Sequence, residues 1–334
     1  MCRNDASINK FGGEAILRDS GGLCNLSEVV IRPSDTLEDL KRKVRLATIL
    51  GTLQSTLSSF RYLRKVWQDN QEEERLLGVS LTGIMDHEVM SGSIMEYVED
   101  VDIDGRSITT YPNRLMVISW LKELKQVAKE TNEEWALLLG VNKSKQLTLV
   151  KPSGSVSQLC GTASGIHPRF SPYYIRRVRQ DVKDPLTDFM AQLGIPYVVA
   201  GEKAIFSFPV ASPEGAITTR EMGAMDQLEL WKIYHDHWCE GNPSQTIYYT
   251  DDTFLAVQDW VWKNWDSIGG LSFFPLDDNV YENAPYEEIT KEEYEKLVEE
   301  FPKDIQWEGL QEVEKEDGTQ RETEYACSGQ RCEL

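Results

Sequence analysis

The chain lacks any apolar run long enough to cross a bilayer, and its opening residues, Met-Cys-Arg-Asn-Asp, lack the apolar core of a secretion signal. No membrane association is expected on that pattern, and a cytoplasmic protein is. Positive charge is also short: 35 lysines and arginines stand against 55 aspartates and glutamates, a formal net charge of -20. Such a surface repels nucleic acid and anionic lipid, so neither is expected as a partner, and any phosphate must be met by a local basic or backbone site. Cysteine is scarce, six in 334 residues and widely spaced. That excludes a secreted disulfide scaffold and leaves redox chemistry or metal binding as the uses of a paired thiol. No internal repeat is present.

Apolar residues, 40% of the total, suffice for a substantial core. Val29 to Ile31 reads as a short strand. Asp35 and Glu38 give a capping-box-like start to a helix carrying Leu37, Leu40, Val44, Leu46, Ile49, Leu50 and Leu53 and running to about Trp67, before a charged, solvated turn from Gln68 to Arg75. A second helical block spans 113–139 and stops at Gly140. Strand patterns at 146–150, 205–210, 246–249 and 271–274 alternate with helical ones at 219–238, 252–265 and 287–300. That alternation predicts an α/β fold with parallel pairing. From Glu308 to Glu324 the chain is acidic and polar, as expected of a flexible arm.

Chemistry concentrates in three places. Glu14 and Cys24 lie ten residues apart across the flexible Ser20-Gly21-Gly22, a carboxylate for protons and a thiol for electrons. Cys327 and Cys332 form a Cys-x4-Cys pair on the acidic arm; a zinc clip needs two further ligands that are not nearby, whereas a redox dithiol needs only the pair. Pro152-Ser153-Gly154-Ser155-Val156-Ser157 places a Gly/Ser turn between a strand and a helix start, a recipe for holding phosphate through backbone amides and hydroxyls that most such turns do not use. Arg176, Arg177 and Arg179 either complement an anion or form a solvated helix face. His235, His237 and Cys239 do not share one helix face and read as packing rather than as a metal site. Cys160 reads as a buried inert thiol and Cys2 as an incidental exposed one. His87 stands between Asp86 and Glu88 and His167 between Ile166 and Pro168, neither of them beside a thiol, and no nucleophilic triad is read from them.

Taken together, Gly13-Glu14-Ala15-Ile16-Leu17, Cys24-Asn25-Leu26-Ser27-Glu28-Val29, Pro152-Ser153-Gly154-Ser155, Gly165-Ile166-His167-Pro168-Arg169-Phe170, Tyr174-Ile175-Arg176-Arg177-Val178-Arg179, His237-Trp238-Cys239-Glu240, Asn242-Pro243-Ser244 and the Cys327/Cys332 pair resemble ribonucleotide reductase. The closest likeness is to the monomeric, adenosylcobalamin-dependent ribonucleoside-triphosphate reductases, in the same motif order from Gly13 onward. The resemblance implies a ten-stranded α/β barrel of two five-stranded halves around a finger loop. This chain would supply an unmatched extension (1–12), the second part of the finger loop (13–30), the C-terminal half-barrel (31–307) and a redox tail (308–334).

It further implies that Glu14 moves protons, Cys24 belongs to the reducing pair, Cys327 and Cys332 reset that pair with a thioredoxin-like reductant, and Ser153, Gly154 and Ser155 hold the phosphate of a ribonucleoside triphosphate. The family's finger tip reads Asn-Pro-Cys-Gly-Glu, but Lys10-Phe11-Gly12 stands where Asn-Pro-Cys belongs. The thiyl-forming cysteine is therefore expected from an N-terminal half of the same enzyme, split or spliced, with the isolated chain inactive. The alternative is a catalytically inactive nucleotide-binding remnant or regulatory fragment.

Overall fold

The computed structural model describes residues 22–93, 98–101, 107–276, 283–303 and 305–310, and the pairs 327–328 and 331–332. Glu14 and the unmatched extension lie outside the described residues. Contacts divide the chain into two compact units, Met1–Arg169 with Ser212–Asp277, and Phe170–Ala211 with Asp278–Leu334.

Unit one opens with strand β1 (Asn25–Val30) and helix α1 (Leu37–Gln54). The capping box is one residue later than the sequence suggests: the Thr36 hydroxyl accepts from the Asp39 amide at 3.2 Å, and Asp39 accepts from the Thr36 amide at 3.1 Å. α1 also ends well before Trp67. Thr48, Thr52, Ser55 and Thr56 turn their hydroxyls onto the carbonyls of Val44, Thr48, Thr52 and Leu53, a local competition that weakens the helix's last turns. The expected solvated turn is instead helix α2 (Lys65–Glu74), closed by Arg75 in the left-handed conformation with its guanidinium on the Ser55 carbonyl at 2.8 Å.

Strand β2 (Leu77–Thr82) follows, then the hairpin β3 (Val98–Val101) and β4 (Ser107–Thr110), the long helix α3 (Pro112–Leu139), strand β5 (Thr148–Leu149) and the short helix α4 (Val156–Cys160). α3 has proline at its first position and Gly140 beyond its last, the two local signals that fix a helix's ends.

Unit two contains β6 (Tyr173–Asp181), α5 (Pro185–Gln192), β7 (Tyr197–Ala200) and β8 (Lys203–Ala211). The chain then returns to unit one with α6 (Ala224–His237), β9 (Thr246–Tyr249), α7 (Asp251–Lys263) and β10 (Ser272–Pro275). β11 (Tyr286–Glu288), α8 (Lys291–Glu300) and the two-residue strands β12 (Cys327–Ser328) and β13 (Arg331–Cys332) complete unit two.

Unit one is α/β. β1, β2 and β5 are parallel in the order β1-β2-β5, and β9 pairs β10 in parallel. The Glu240 and Ser244 amides bond the Thr148 and Val150 carbonyls at 2.8 and 3.0 Å, joining β5 to the segment that leads into β9. Successive strands thus step across in chain order, each return made by a helical crossover, the one-way winding that connection handedness favours. Val29, Val79 and Leu81 pack with Val44, Leu121 and Trp238 in the main core. The alternate positions of the same strands face the other way, and that second face carries the candidate site.

Unit two is antiparallel, in the order β11-β6-β8-β7, which the strand pattern of the sequence did not suggest. Its polar β6 explains the difference. Arg176, Arg177 and Arg179 lie on a strand rather than on a helix, and their partners are on or beside β11: Arg177 bonds the Ala284 carbonyl at 3.0 Å and the Glu287 carboxylate, Arg179 the Asn283 carbonyl at 3.3 Å, and Arg176 lies over the Tyr286 ring. These side chains clamp one strand to the next.

Candidate active site

Strand alternation puts Cys24, Leu26 and Glu28 on the face of β1 opposite the core, with about 13 Å of extended chain between Cys24 and Glu28. On β2 the facing positions are Gly78, Ser80 and Thr82, paired with Leu26, Glu28 and Val30. Each meets a different part of the site. A methyl group built on Gly78 would lie 2.5 Å from Leu26 Cδ2, 2.9 Å from the Cys24 sulfur and 3.2 Å from Leu149 Cδ2. The thiol is seated directly on a glycine, a close approach that any side chain would prevent. Ser80 Oγ accepts from the Lys151 amide at 3.0 Å and so fixes the run from β5 into the turn. Thr82 Oγ1 donates to the Ala163 carbonyl at 3.0 Å and accepts from the Gly165 amide at 2.9 Å, holding the segment beyond α4.

The turn is built from within. The buried Ser153 hydroxyl accepts from the Ser157 amide at 3.0 Å, and Ser164 Oγ accepts from the Ser153 amide at 3.1 Å. Ser153 also donates to the Glu28 carboxylate. Half-burial raises the Glu28 pKa, and the serine's hydrogen bond partly offsets that rise. Ser153 therefore shapes the turn, while Gly154 and Ser155 are exposed. A methyl group at Gly154 would meet nothing within 4 Å, so space beside that backbone is open.

Behind the turn lies a buried ion pair. Arg169 Nε and Nη2 each reach an Asp86 oxygen at 2.7 Å, Asp86 Oδ2 also accepts from the Ala163 amide at 2.8 Å, and Arg169 Nη2 bonds the Gly161 carbonyl at 2.9 Å. His167 closes the same segment. Its Nδ1 donates to the Ser164 carbonyl at 3.0 Å and its Nε2 accepts from the Thr246 amide at 3.0 Å, which requires the neutral ring.

Burial holds the His167 pKa below its ordinary 6.5. The folded ring stays neutral where the unfolded one takes up a proton, so this contribution to stability is present above pH 6.5 and declines as pH falls below it. Urea midpoints at a series of pH values are expected to show that decline, and His167→Gln to remove it. An unchanged slope in the variant would assign the decline to other groups. Gly78→Ala is expected to cost about 1–3 kcal/mol in the same denaturation assay and to change the reactivity of Cys24 toward a thiol reagent, because Leu26 or the sulfur must move.

Of the residues singled out from sequence, Cys24, Ser153, Gly154 and Ser155 come together on or beside one sheet face. Cys327 and Cys332 stand opposite each other in the antiparallel β12–β13 register. Directly opposed strand residues have the backbone spacing a disulfide needs.

Cys160 is half-exposed rather than buried, because α4 presents most of its surface to solvent. Cys239 is buried, which pushes its thiol pKa well up, and His235 stacks on Trp231 and pairs with Asp236. His87 donates from Nε2 to the Asp35 carbonyl while Nδ1 accepts from the Val89 and Met90 amides, a packing role. Sequence reasoning gave no separate role to Glu28, Asp86 or Arg169, whereas Gly78, in the apolar run from Leu76 to Met85, was a place where a close approach would be useful. The alternation Cys24-Leu26-Glu28 was a usable signal once β1 is started at Asn25; the Asp86–Arg169 pairing, across 83 residues, left none.

A polar cleft of about 660 Å³ runs along β5 from Gln146 at its amino end to Lys151 and Pro152 at the start of the turn, with Glu240, Asn242 and Asp266 on its other walls. No cluster of metal-ligating side chains occurs among the described residues, nor any helix long and apolar enough to cross a membrane.

No protein-family model matches the chain. It is 28% identical over 311 residues to the adenosylcobalamin-dependent ribonucleoside-triphosphate reductase of Euglena gracilis, covering 88% of this chain and 38% of that protein. The enzyme of the same name from Lactobacillus gasseri is 26% identical over 294 residues, covering 83% and 38%. Among solved structures, a B12-dependent (class II) ribonucleotide reductase superposes with a TM-score of 0.70 at 22% identity, over 87% of this chain and 41% of that one. The chain thus spans about two fifths of the length of the curated relatives it matches. By sequence and by fold together, it matches the C-terminal part of the adenosylcobalamin-dependent ribonucleoside-triphosphate reductases.

Proposed function

We propose that this chain is the C-terminal portion of an enzyme that reduces ribonucleoside triphosphates to 2'-deoxyribonucleotides, completed by an N-terminal half that carries the radical cysteine. The observation that carries this reading is the Cys24 thiol on Gly78, on the same sheet face as the turn at Ser153 and away from the core. Electron donor and phosphate cradle share one surface.

In the proposed reaction a thiyl on the N-terminal half takes the 3' hydrogen of the ribose. The 2' hydroxyl leaves as water, with Glu14 managing the proton. Cys24 and a second cysteine outside this chain give two electrons and their protons and become a disulfide, and the hydrogen returns to the 3' carbon. Thiol–disulfide exchange with Cys327 and Cys332 restores the pair, and a thioredoxin-like protein reduces the tail in turn. Gly154 and Ser155 hold the triphosphate through the turn that Ser153 shapes.

Adenosylcobalamin, named for the relatives, is the cofactor proposed for the assembled enzyme. The three described cavities of unit one, about 390, 360 and 660 Å³, are of the size that encloses a drug-sized molecule, smaller than a corrinoid. None of these three cavities by itself encloses the corrinoid.

The test is to incubate the purified chain with nucleoside triphosphate, adenosylcobalamin and a dithiol, alone and with an N-terminal half bearing Asn-Pro-Cys. Deoxynucleotide is expected only from the combination; product from the chain alone would overturn the assignment of the missing thiol. The second reading, an inactive nucleotide-binding remnant, is favoured by Gly12 standing where the family has cysteine. It predicts triphosphate binding without product even in the combination.

A further inference from the structure

The site face of β1 carries a carboxylate to which the proposed reaction gives no part. Glu28 stands on that face beyond Leu26 and directly opposite Ser80 on β2. Ser80 accepts from the Lys151 amide at 3.0 Å where the chain enters the turn, and Ser153, within the turn, donates its hydroxyl to Glu28. The carboxylate is thus fixed against the turn by the hydroxyl that shapes it.

An acid in that place works against the turn's proposed task. A polyphosphate on Gly154 and Ser155 brings several negative charges close to it, and like charges at short range disfavour one another's ionised forms. The cations around Glu28 are engaged elsewhere. Arg32 and Lys43 line one trough with it, but Arg32 donates to the Cys160 carbonyl at 2.7 Å, and Lys43 to Asp35 at 2.5 Å and the Val30 carbonyl at 2.9 Å. Arg169, behind the turn, is held by Asp86. Ser80 and Thr82 on β2 and the residues from Ser153 to Ser157 carry no charge. Among the described residues that leaves Lys151 as the cation at the entrance to the turn and Cys24 as the other titratable group on this face of β1. Half-burial already favours the neutral form of Glu28, and an anion arriving on the turn pushes the same way.

We infer that Glu28 is the proton acceptor of the phosphate turn: a polyphosphate seated at Gly154 and Ser155 loads one proton from solvent onto the Glu28 carboxyl. The inference rests on the reading of the turn as a phosphate cradle. Glu28 is then a positioning residue, since its neutral form still accepts from Ser153 through the carbonyl oxygen but no longer opposes the ligand's charge. Affinity for the polyphosphate rises as pH falls through the carboxyl's range, because the bound state holds the proton more tightly than the free one.

The test is isothermal titration of the chain with inorganic triphosphate from about pH 5 to about pH 8, a span that brackets a raised carboxyl, in buffers of differing ionisation enthalpy. The parent is compared with Glu28→Gln, which keeps an acceptor for Ser153, and with Glu28→Ala, which does not. The triphosphate's own titration is common to all three and cancels. The parent is expected to take up a proton on binding that Glu28→Gln does not. Glu28→Gln should bind at least ~10-fold more tightly than the parent at the alkaline end, tenfold being a one-unit rise of the carboxyl on binding, and the two should converge at the acid end. Glu28→Ala should bind more weakly than Glu28→Gln throughout. Infrared difference spectra of the parent, which need no variant to fold, should gain a protonated-carboxyl band when triphosphate is added. Triphosphate bound by parent and Glu28→Gln with the same proton count and the same pH profile, or bound by the parent with no such band, would overturn the inference alone. No binding by the parent at any pH would overturn the reading of the turn as a phosphate cradle, and this inference with it.

Discussion

Asp86→Ala is expected to destabilise unit one by about 3–5 kcal/mol, as is usual when one partner of a buried ion pair is removed. Asp86 and Arg169 are 3% and 7% exposed. Deleting the carboxylate removes the acceptor of two guanidinium hydrogen bonds and of the Ala163 amide. Water cannot readily replace it at such burial, so the cost is the desolvation of what remains rather than the net strength of the pair. The same deletion reaches the candidate site, because the segment from Gly161 to Arg169 carries Ser164, whose hydroxyl accepts from the Ser153 amide. Urea denaturation measures the stability, and isothermal titration with inorganic triphosphate measures the turn. A loss below about 1 kcal/mol, the size of a surface ion pair, would show that the pair is not the anchor described here.

Cys24→Ser is expected to abolish deoxynucleotide formation by the combined halves, down to background. Serine is nearly the same size and keeps the contact with Gly78, but it cannot share a disulfide, and the proposed reaction draws two electrons from that pair for each product molecule. Circular dichroism and triphosphate binding should be unchanged, which separates lost chemistry from lost structure. Cys160→Ser is the matched control and should leave turnover intact, since that thiol is the last residue of α4 and the proposed reaction gives it no part. Turnover at the parent rate in the Cys24 variant would remove this residue from the electron path.

Where sequence reading and structure agree or part company, the reason is physical. α3 was legible almost to the residue because Pro112 and Gly140 act within one turn of its ends. β9 was read as found, since Thr246 to Tyr249 is a compact β-branched and aromatic run. α1 and α2 were misread as one helix and a turn. The apolar spacing persists past Gln54, and only the run of hydroxyl back-bonds shows that the helix has ended. In unit two the strand at 205–210 and the last helix were legible, but β6 and the antiparallel pairing were not, because β6 carries charge where strands usually carry apolar side chains and its arginines become intelligible only when β11 is seen beside it.

The candidate site divides in the same way. Cys24, the Cys327/Cys332 pair and the Ser153 turn were nameable from residue type and spacing, because thiol pairs and Gly/Ser turns carry their chemistry locally. The α/β alternation and the excess of acidic charge were equally determined by the sequence, since hydrophobic period and charge need no tertiary contact to be read. The tertiary structure alone decided that Cys24 rests on Gly78, that the Ser153 hydroxyl is spent on Ser157 and Glu28, and that Asp86 locks Arg169 across 83 residues. Those facts depend on strand register and on burial, and a register is set by which distant segments pair, a property no local stretch of the chain contains.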